Sequence, residues 1–408
     1  MKRQFKPEIE KLAKEGSLYP QEALLKEKKS RHSLVFGIPR ETGYKEIRVP
    51  LTPEAVALLV NNGQEVWLEA GAGEKAKFTD KNYSDAGAKI KYSAKEVFEA
   101  NIILKIEPPS LEEIEYIKPG STVISAFQMG QQNVGYIEAI NKKRLVCIGY
   151  EMLEDKAEGF PVIRAMSEIA GSLVMLIAAE YLSNVHDGKG ILLGGITGVS
   201  PSKVVILGAG TVAEYAARTA LGLGAEIKIF DNHIYKLRRV KHALGHQIHT
   251  AILDNLTLSE ALKEADVVIG AVRAEKGKVR CFVSEEMVAF MRPNSIIIDV
   301  SIDQGGCFET SRITTHENPT YIKHGVIHYC VPNLTSRVAN TASNALSNIF
   351  TPILLQIAEV GGVEEMIFTY KWFMHGVYAY NGNLTNAHIA NKFNLKHMDL
   401  NLLMAARM

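Results

Sequence analysis

The sequence predicts an α/β protein built from two doubly wound (Rossmann-like) domains with a cleft between them. Three observations carry that prediction. Short apolar runs alternate with helix-like segments from Ser33 onward, one such run meets a glycine loop that opens a helix, and 408 residues exceed what one typical core holds. The chain is 47% hydrophobic and 22% charged with a formal net charge of +1, so nothing in its bulk electrostatics points to nucleic acid or a membrane surface. A small-molecule substrate is the expected partner. Cys147, Cys281, Cys307 and Cys330 are widely spaced and lack paired ligand spacing, which fits a reduced cytoplasmic chain without structural zinc. No apolar run reads as a membrane span or a signal core.

Taken in order, residues 1–33 are rich in Lys and Glu with few apolar positions and read as a charged, solvated helical arm. Leu34-Val35-Phe36, Glu65-Val66-Trp67-Leu68, Ile102-Ile103-Leu104, Thr122-Val123-Ile124 and Leu145-Val146-Cys147-Ile148 then read as strands. Between the first two lies a clearly punctuated helix, with Thr52 as cap, Pro53 at its first position, Val56, Leu59 and Val60 on one face, and Gly63 after its end. A low-charge helix from about Ala165 to Leu182 reads as a buried connection. Beyond it, Val204 to Leu207, Glu226 to Phe230, Asp266 to Ile269, Ser295 to Val300 and Val326 to Tyr329 fit parallel strands buried on both faces, in a doubly wound sheet that six strands would complete. A helix from about Ala339 to Val360 and an amphipathic tail cannot extend that sheet. The expected division is therefore 34–161 plus 340–408 as a discontinuous substrate domain, with 162–339 as the nucleotide domain.

The glycine loop is the most specific local signal. Gly208-Ala209-Gly210-Thr211-Val212-Ala213 follows a strand, opens a helix, and is followed by a second strand that ends at Asp231. Gly208 permits a tight turn, Gly210 lets backbone N–H groups approach a pyrophosphate, and Ala213 allows close helix-to-strand packing. Asp231 can accept hydrogen bonds from ribose hydroxyls and would repel a 2′-phosphate, which favours NAD as the cofactor. Gly71-Ala72-Gly73-Glu74-Lys75-Ala76 fits the same bare pattern, but no apolar helix follows, so it reads as a turn. His242, His246 and His249 are interrupted by Gly245 and joined by no carboxylate at ligand spacing, and Ser167 lacks the flanking glycines of a nucleophile elbow. Reaction chemistry in a doubly wound sheet occurs outside the carboxyl ends of its strands. There the chain places Asp303, ahead of Gly305 and Gly306, whose bare backbone could approach a bound ring.

Phe36-Gly37-Ile38-Pro39-Arg40-Glu41-Thr42, Glu46-Ile47-Arg48-Val49-Pro50-Leu51-Thr52-Pro53, Glu69 to Glu74, Met166-Ser167-Glu168-Ile169-Ala170-Gly171, Ile302-Asp303-Gln304-Gly305-Gly306-Cys307-Phe308-Glu309-Thr310-Ser311-Arg312 and His328-Tyr329-Cys330-Val331 together resemble the alanine dehydrogenases and the related transhydrogenase alpha subunits. The resemblance runs from about Leu34 to the end and favours the dehydrogenase branch. It implies two α/β domains with NAD in the cleft, oxidative deamination of L-alanine or a related amino acid, and a homo-oligomer, a hexamer or a dimer. It also implies roles. Arg48 falls where the family holds the substrate carboxylate and Asp303 at its catalytic aspartate. Ser167, Gly208, Gly210, Ala213, Asp231, Lys236, Ala271, Val272, Ile302 and Asn333 fall at cofactor contacts.

Two substrate positions depart from the family. Glu107 stands where it has a lysine and Gln128 where it has a histidine, with no gap between them to excuse the mismatch. Two like charges about 4 Å apart at an effective dielectric near 20 repel by roughly 4 kcal/mol, so Glu107 works against a bound carboxylate. Gln128 cannot exchange a proton near neutral pH, which leaves Asp303 for acid-base work. The readings left open are a dehydrogenase for alanine, one for a diamino acid or an opine-type substrate that pairs with Glu107, and a non-catalytic NAD-binding paralogue.

Overall fold

A computed structural model of the chain describes residues 33–407 except 44, 45, 156, 158 and 273–280. The charged arm, residues 1–32, lies outside the described residues. In chain order the strands are β1 (Val35–Ile38), β2 (Glu65–Glu69), β3 (Lys89–Lys91), β4 (Ile102–Leu104), β5 (Thr122–Ser125), β6 (Val146–Gly149), β7 (Lys203–Leu207), β8 (Glu226–Phe230), β9 (His249–Ala251), β10 (Val267–Gly270), β11 (Ile296–Asp299), β12 (Thr320–Lys323), β13 (Val326–Tyr329), β14 (Val377–Tyr380) and β15 (Asn383–Leu384).

They form two sheets of one design. In the first, β3-β2-β1-β4-β5-β6 are parallel, and β14 and β15 continue that sheet antiparallel beyond β6. In the second, β9-β8-β7-β10-β11-β13 are parallel and β12 closes the edge antiparallel to β13. Both are doubly wound, and each reverses its strand order at one point, between β1 and β4 in the first and between β7 and β10 in the second.

Local chemistry explains most of these elements. Val204 to Leu207, Val267 to Ile269 and Ile296 to Ile298 are at most 3% exposed, as strands covered on both faces must be. The helix Pro53–Asn61 starts as its sequence demands, with Thr52 accepting from the Ala55 N–H and Pro53 at the first position. The connecting helix Pro161–Tyr181 is long and apolar enough to cross a membrane by length and composition. It instead packs closely on the helix Thr211–Gly222: a Cβ on Gly171 would stand 2.4 Å from the Val212 carbonyl oxygen, so only glycine allows the approach. The Gly71–Ala76 segment makes a turn and a short 3-10 helix. His242 lies on the helix Ile234–Leu244, His246 beyond its left-handed cap Gly245, and His249 on β9, three different elements.

The helix Ala339–Val360 returns from the second sheet to the first. Its Leu346, Phe350, Leu354 and Ile357 join the core of Val56, Leu59 and Leu68. Two of its serines stitch the loop after Arg48. The Val49 N–H donates to Ser343 Oγ at 2.9 Å and the Thr52 N–H to Ser347 Oγ at 3.0 Å.

Candidate active site

The loops after β1 and β4 meet at the strand-order reversal of the first sheet, where a crevice must open. Glu46 and Arg48 stand two residues apart in the loop after β1, where the Glu46 carboxylate also accepts the Ile47 N–H at 3.1 Å and the Arg48 N–H at 3.0 Å. Arg48 Nε donates to Glu46 Oε1 at 2.7 Å and Arg48 Nη2 to Glu46 Oε2 at 2.5 Å, a two-point pair whose side chains are 10% and 0% exposed. Burial pushes the Glu46 carboxyl up, but the bonds from Arg48 outweigh it and hold the group below its ordinary range. Arg48 Nη1 reaches across to Thr335 Oγ1 at 3.0 Å and to the Met166 sulfur at 3.3 Å. Asn333 Nδ2 donates to Glu46 Oε2 at 2.9 Å and Ser336 Oγ to Glu46 Oε1 at 3.3 Å. The expected carboxylate anchor is thus fixed in place by residues from both halves of the chain.

A second buried cluster lies beside it. Lys105, 1% exposed, donates from Nζ to Glu41 Oε2 at 3.1 Å and to Glu113 Oε1 at 3.2 Å. Burial lowers the lysine's pKa, and attraction to the two carboxylates more than restores it. Burial pushes Glu41 up to about 7 against the pull of Lys105, and Glu41 also accepts the Ile106 N–H at 2.6 Å. Tyr150, buried after β6, donates to the Ile106 carbonyl at 2.9 Å and fixes the same turn. Glu107 is half-buried at the end of this turn, and its carboxyl is pushed up by burial and by repulsion from Glu46, with Lys105 and Arg48 pulling the other way. Gln128 has left-handed backbone at φ 42° and an exposed side chain, and its N–H donates to Glu151 Oε1 at 2.8 Å. No hydrogen bond joins the Gln128 side chain to the Arg48 group among the described residues.

The second half supplies the cradle. Gly208 has φ +100°, and a Cβ there would stand 2.4 Å from the Ala271 carbonyl oxygen, so the turn admits glycine alone. Gly210 caps the helix Thr211–Gly222 without a side-chain hydrogen bond, and a Cβ on it would meet nothing within 4 Å. Open space at a helix start with unclaimed N–H groups suits a pyrophosphate, so these residues fit a dinucleotide. Ala213 is fully buried against the sheet. Asp231, 7% exposed, accepts the Ala209 N–H at 2.8 Å on Oδ2 and the His233 N–H at 2.7 Å on Oδ1, so it braces the loop as well as facing it. Lys236 is partly buried, its Nζ 6.0 Å from the Tyr235 ring, and Ser167 lies partly buried within the connecting helix. Ala271 and Val272 follow β10 beside Gly208, and Ile302 is 5% exposed.

Asp303 lies exposed in the 3-10 turn Val300–Gln304 that follows β11. Asp299, which the sequence reading passed over, builds that turn. Its buried carboxylate accepts the Ser301 N–H at 3.0 Å, the Cys307 N–H at 2.8 Å and the Ser311 hydroxyl at 2.6 Å. Gly306 is needed here for a reason other than approach to a bound ring: its Cβ would stand 2.7 Å from Asp299 Oδ2. Ser301 Oγ donates to the Val272 carbonyl at 2.8 Å and ties the Asp303 turn to the strand end beside Gly208. Arg239 was also missed; its Nη2 donates to the Ala209 carbonyl at 2.9 Å. Glu46 was legible in principle from its two-residue spacing to Arg48, whereas Thr335 and Ser336 come from a segment 287 to 290 residues away.

Comparison with known proteins places this geometry. Residues 37–170 match the family model for the N-terminal domain of alanine dehydrogenase/PNT, and residues 174–387 match that for its C-terminal domain. The alanine dehydrogenase of Bacillus subtilis is 40% identical over 334 residues, 82% of this chain and 88% of that protein. The alanine dehydrogenase of Methanococcus maripaludis is 38% identical over 366 residues, 89% of this chain and 98% of its own. A solved L-alanine dehydrogenase shares the fold with a TM-score of 0.84 at 34% identity, covering 88% of this chain and 99% of that one. A transhydrogenase from Sinorhizobium meliloti, with a TM-score of 0.74 and 24% identity over 87% of this chain and 99% of its own, shares the fold. With both halves matched by one family's models and with such relatives aligned over nearly their whole length, this protein belongs to the alanine dehydrogenase/PNT family.

Proposed function

We propose that this protein is an NAD-dependent amino-acid dehydrogenase of the alanine dehydrogenase type, which converts an α-amino acid and water to the 2-oxo acid and ammonia. The observation that carries the reading is the Arg48–Glu46 pair, set at a strand-order reversal and held by Thr335 and Asn333 against the half that bears the glycine cradle. Gly208, Gly210, Ala213, Asp231, Ser167, Lys236, Ala271, Val272, Ile302 and Asn333 would hold the cofactor. NAD rather than NADP follows from Asp231, whose carboxylate repels a 2′-phosphate. When bound, NAD accepts the hydride that leaves the substrate α-carbon.

The chain's own residues do the rest. Of the five Arg48 N–H groups, Glu46 takes two, Thr335 one and the Met166 sulfur one. A substrate carboxylate takes the remaining N–H and displaces the weak sulfur contact, while Glu46 keeps the guanidinium plane fixed. Asp303 accepts the proton of the water that adds to the substrate imine and returns it to the departing ammonia. Asp299 and Ser301 hold the turn that carries Asp303 against the strand end beside Gly208. Replacing Asp303 by Asn should lower kcat by about 100-fold or more with NAD affinity retained, since general acid-base work contributes at least that much. Equal kcat in the two proteins would remove Asp303 from the mechanism.

Two residues favour a second reading, NAD binding without turnover: Gln128 cannot exchange protons, and Glu107 brings a carboxyl group where the reading needs to hold an anion. In that case Glu107→Lys with Gln128→His would create alanine oxidation where the unmodified protein has none. We also propose a cytoplasmic homo-oligomer, hexamer or dimer, acting on a small molecule. Light scattering on the purified protein tests the assembly, and a monomer would refute it.

A further inference from the structure

Resting on the dehydrogenase reading above, we infer that Glu107 selects substrates with a second cationic group, so that the protein acts on diamino acids in preference to alanine. Among the described residues, four carboxylates gather around the end of β4, those of Glu41, Glu46, Glu107 and Glu113, against two cations, Arg48 and Lys105. Three of the four are engaged: Glu46 with Arg48, and Glu41 and Glu113 with Lys105. Glu107 is the surplus charge, and its carboxylate makes no hydrogen bond among the described residues.

The Glu107 carboxylate lies against Gly43: a Cβ there would stand 1.7 Å from its Oε2, and the flexible carboxylate would have to swing aside to admit one. A side chain that merely escaped a bad site would turn to solvent, whereas this one is half-buried beside the substrate anchor.

The consequence for substrate choice is electrostatic. Alanine presents a carboxylate to Arg48 and a methyl group beyond it, and leaves Glu107 partly desolvated without a partner. A diamino acid of the ornithine or lysine class presents the same carboxylate and brings a side-chain ammonium, which makes a charge-assisted hydrogen bond with Glu107. Hydrogen bonds to charged groups contribute about 1.5–3 kcal/mol, a preference of roughly 10- to 100-fold.

The test is NADH formation by the full-length protein with alanine, 2,4-diaminobutyrate, ornithine and lysine, in the unmodified chain and in Glu107→Gln. The inference expects kcat/KM at least about ten-fold higher for one of the diamino acids than for alanine. It also expects Glu107→Gln to raise the KM of that substrate by a similar factor with little change in kcat, and to lower the KM of alanine, whose carboxylate the charge at 107 no longer repels. Gly43→Ala, which pushes the Glu107 carboxylate aside without removing its charge, should move KM in the same direction. Alanine as the preferred substrate, or equal losses for every amino acid in Glu107→Gln, would overturn the inference and leave the dehydrogenase reading standing. No NADH from any amino acid, in protein that binds NAD by titration, would overturn both.

Discussion

Gly208 illustrates how a single residue can be read correctly from sequence and still gain meaning from structure. The strand-loop-helix pattern called for a glycine, and the structure supplies the cause: φ +100° and a carbonyl oxygen 2.4 Å from any Cβ. Gly208→Ala combines left-handed strain of about 1–2 kcal/mol with a clash against backbone that cannot yield. We predict a weaker fold and NAD affinity reduced by about ten-fold or more, read by thermal melting and NAD titration; unchanged affinity would disconnect the loop from the cofactor. Glu46 was less legible, since its importance depends on Arg48, Asn333 and Ser336 converging on it. Replacing it by Gln leaves the Arg48 charge buried without its partner, and breaking such pairs costs about 3–5 kcal/mol. Denaturant unfolding of Glu46→Gln should show that loss, and a change below about 1 kcal/mol would mean the pair is solvated.

At the scale of elements, the sequence exposed the strands that are apolar throughout and concealed those that are not. β7, β8, β10, β11 and β13 read as apolar runs because they are central. β9 is three residues, His249–Ala251, largely exposed; β12 turns Ile322 to water and β15 is only two residues long, while β14, buried throughout, is a four-residue run in the tail after the helices. No local pattern distinguishes these from loops. β13 also carries a buried charge switch. His328 is fully buried, with Nε2 2.8 Å from Thr310 Oγ1 and Nδ1 donating to the Val326 carbonyl, and burial pushes its pKa from 6.5 down to about 4. The unfolded chain binds that proton more readily, so stability is full above pH 6.5 and declines as pH falls through the window to about 4. The shift corresponds to about 3 kcal/mol at the acid end. Urea unfolding between those limits should show the loss in the natural chain, and His328→Gln should flatten the slope; an unaltered slope would place the effect elsewhere.

For the whole molecule, the two sheets share one strand order, and the proposed site takes its Arg48 group from the reversal point of the first and its glycine cradle from that of the second. Sequence periodicity announces strands but not which strands are neighbours, so neither reversal point was legible, although the residues beside them were. Arg48 and Glu107 are 59 positions apart in the chain and come close because β1 and β4 are paired. The same geometry explains why the helix Ala339–Val360 belongs to the functional unit: Ser343 and Ser347 hold the Arg48 loop from a segment nearly 300 residues later. The departures at Glu107 and Gln128 were legible only through the resemblance, and the structure adds that the Glu107 carboxylate is half-buried against Gly43.

The most direct test of the account is NADH production at alkaline pH by the purified full-length chain, supplied with NAD and a panel of neutral and basic amino acids, beside Asp303→Asn. The account predicts NADH with at least one amino acid, ammonia released in equal amount, and loss of both in the variant while NAD still binds. Protein that binds NAD and yields no NADH from any member of the panel would contradict it.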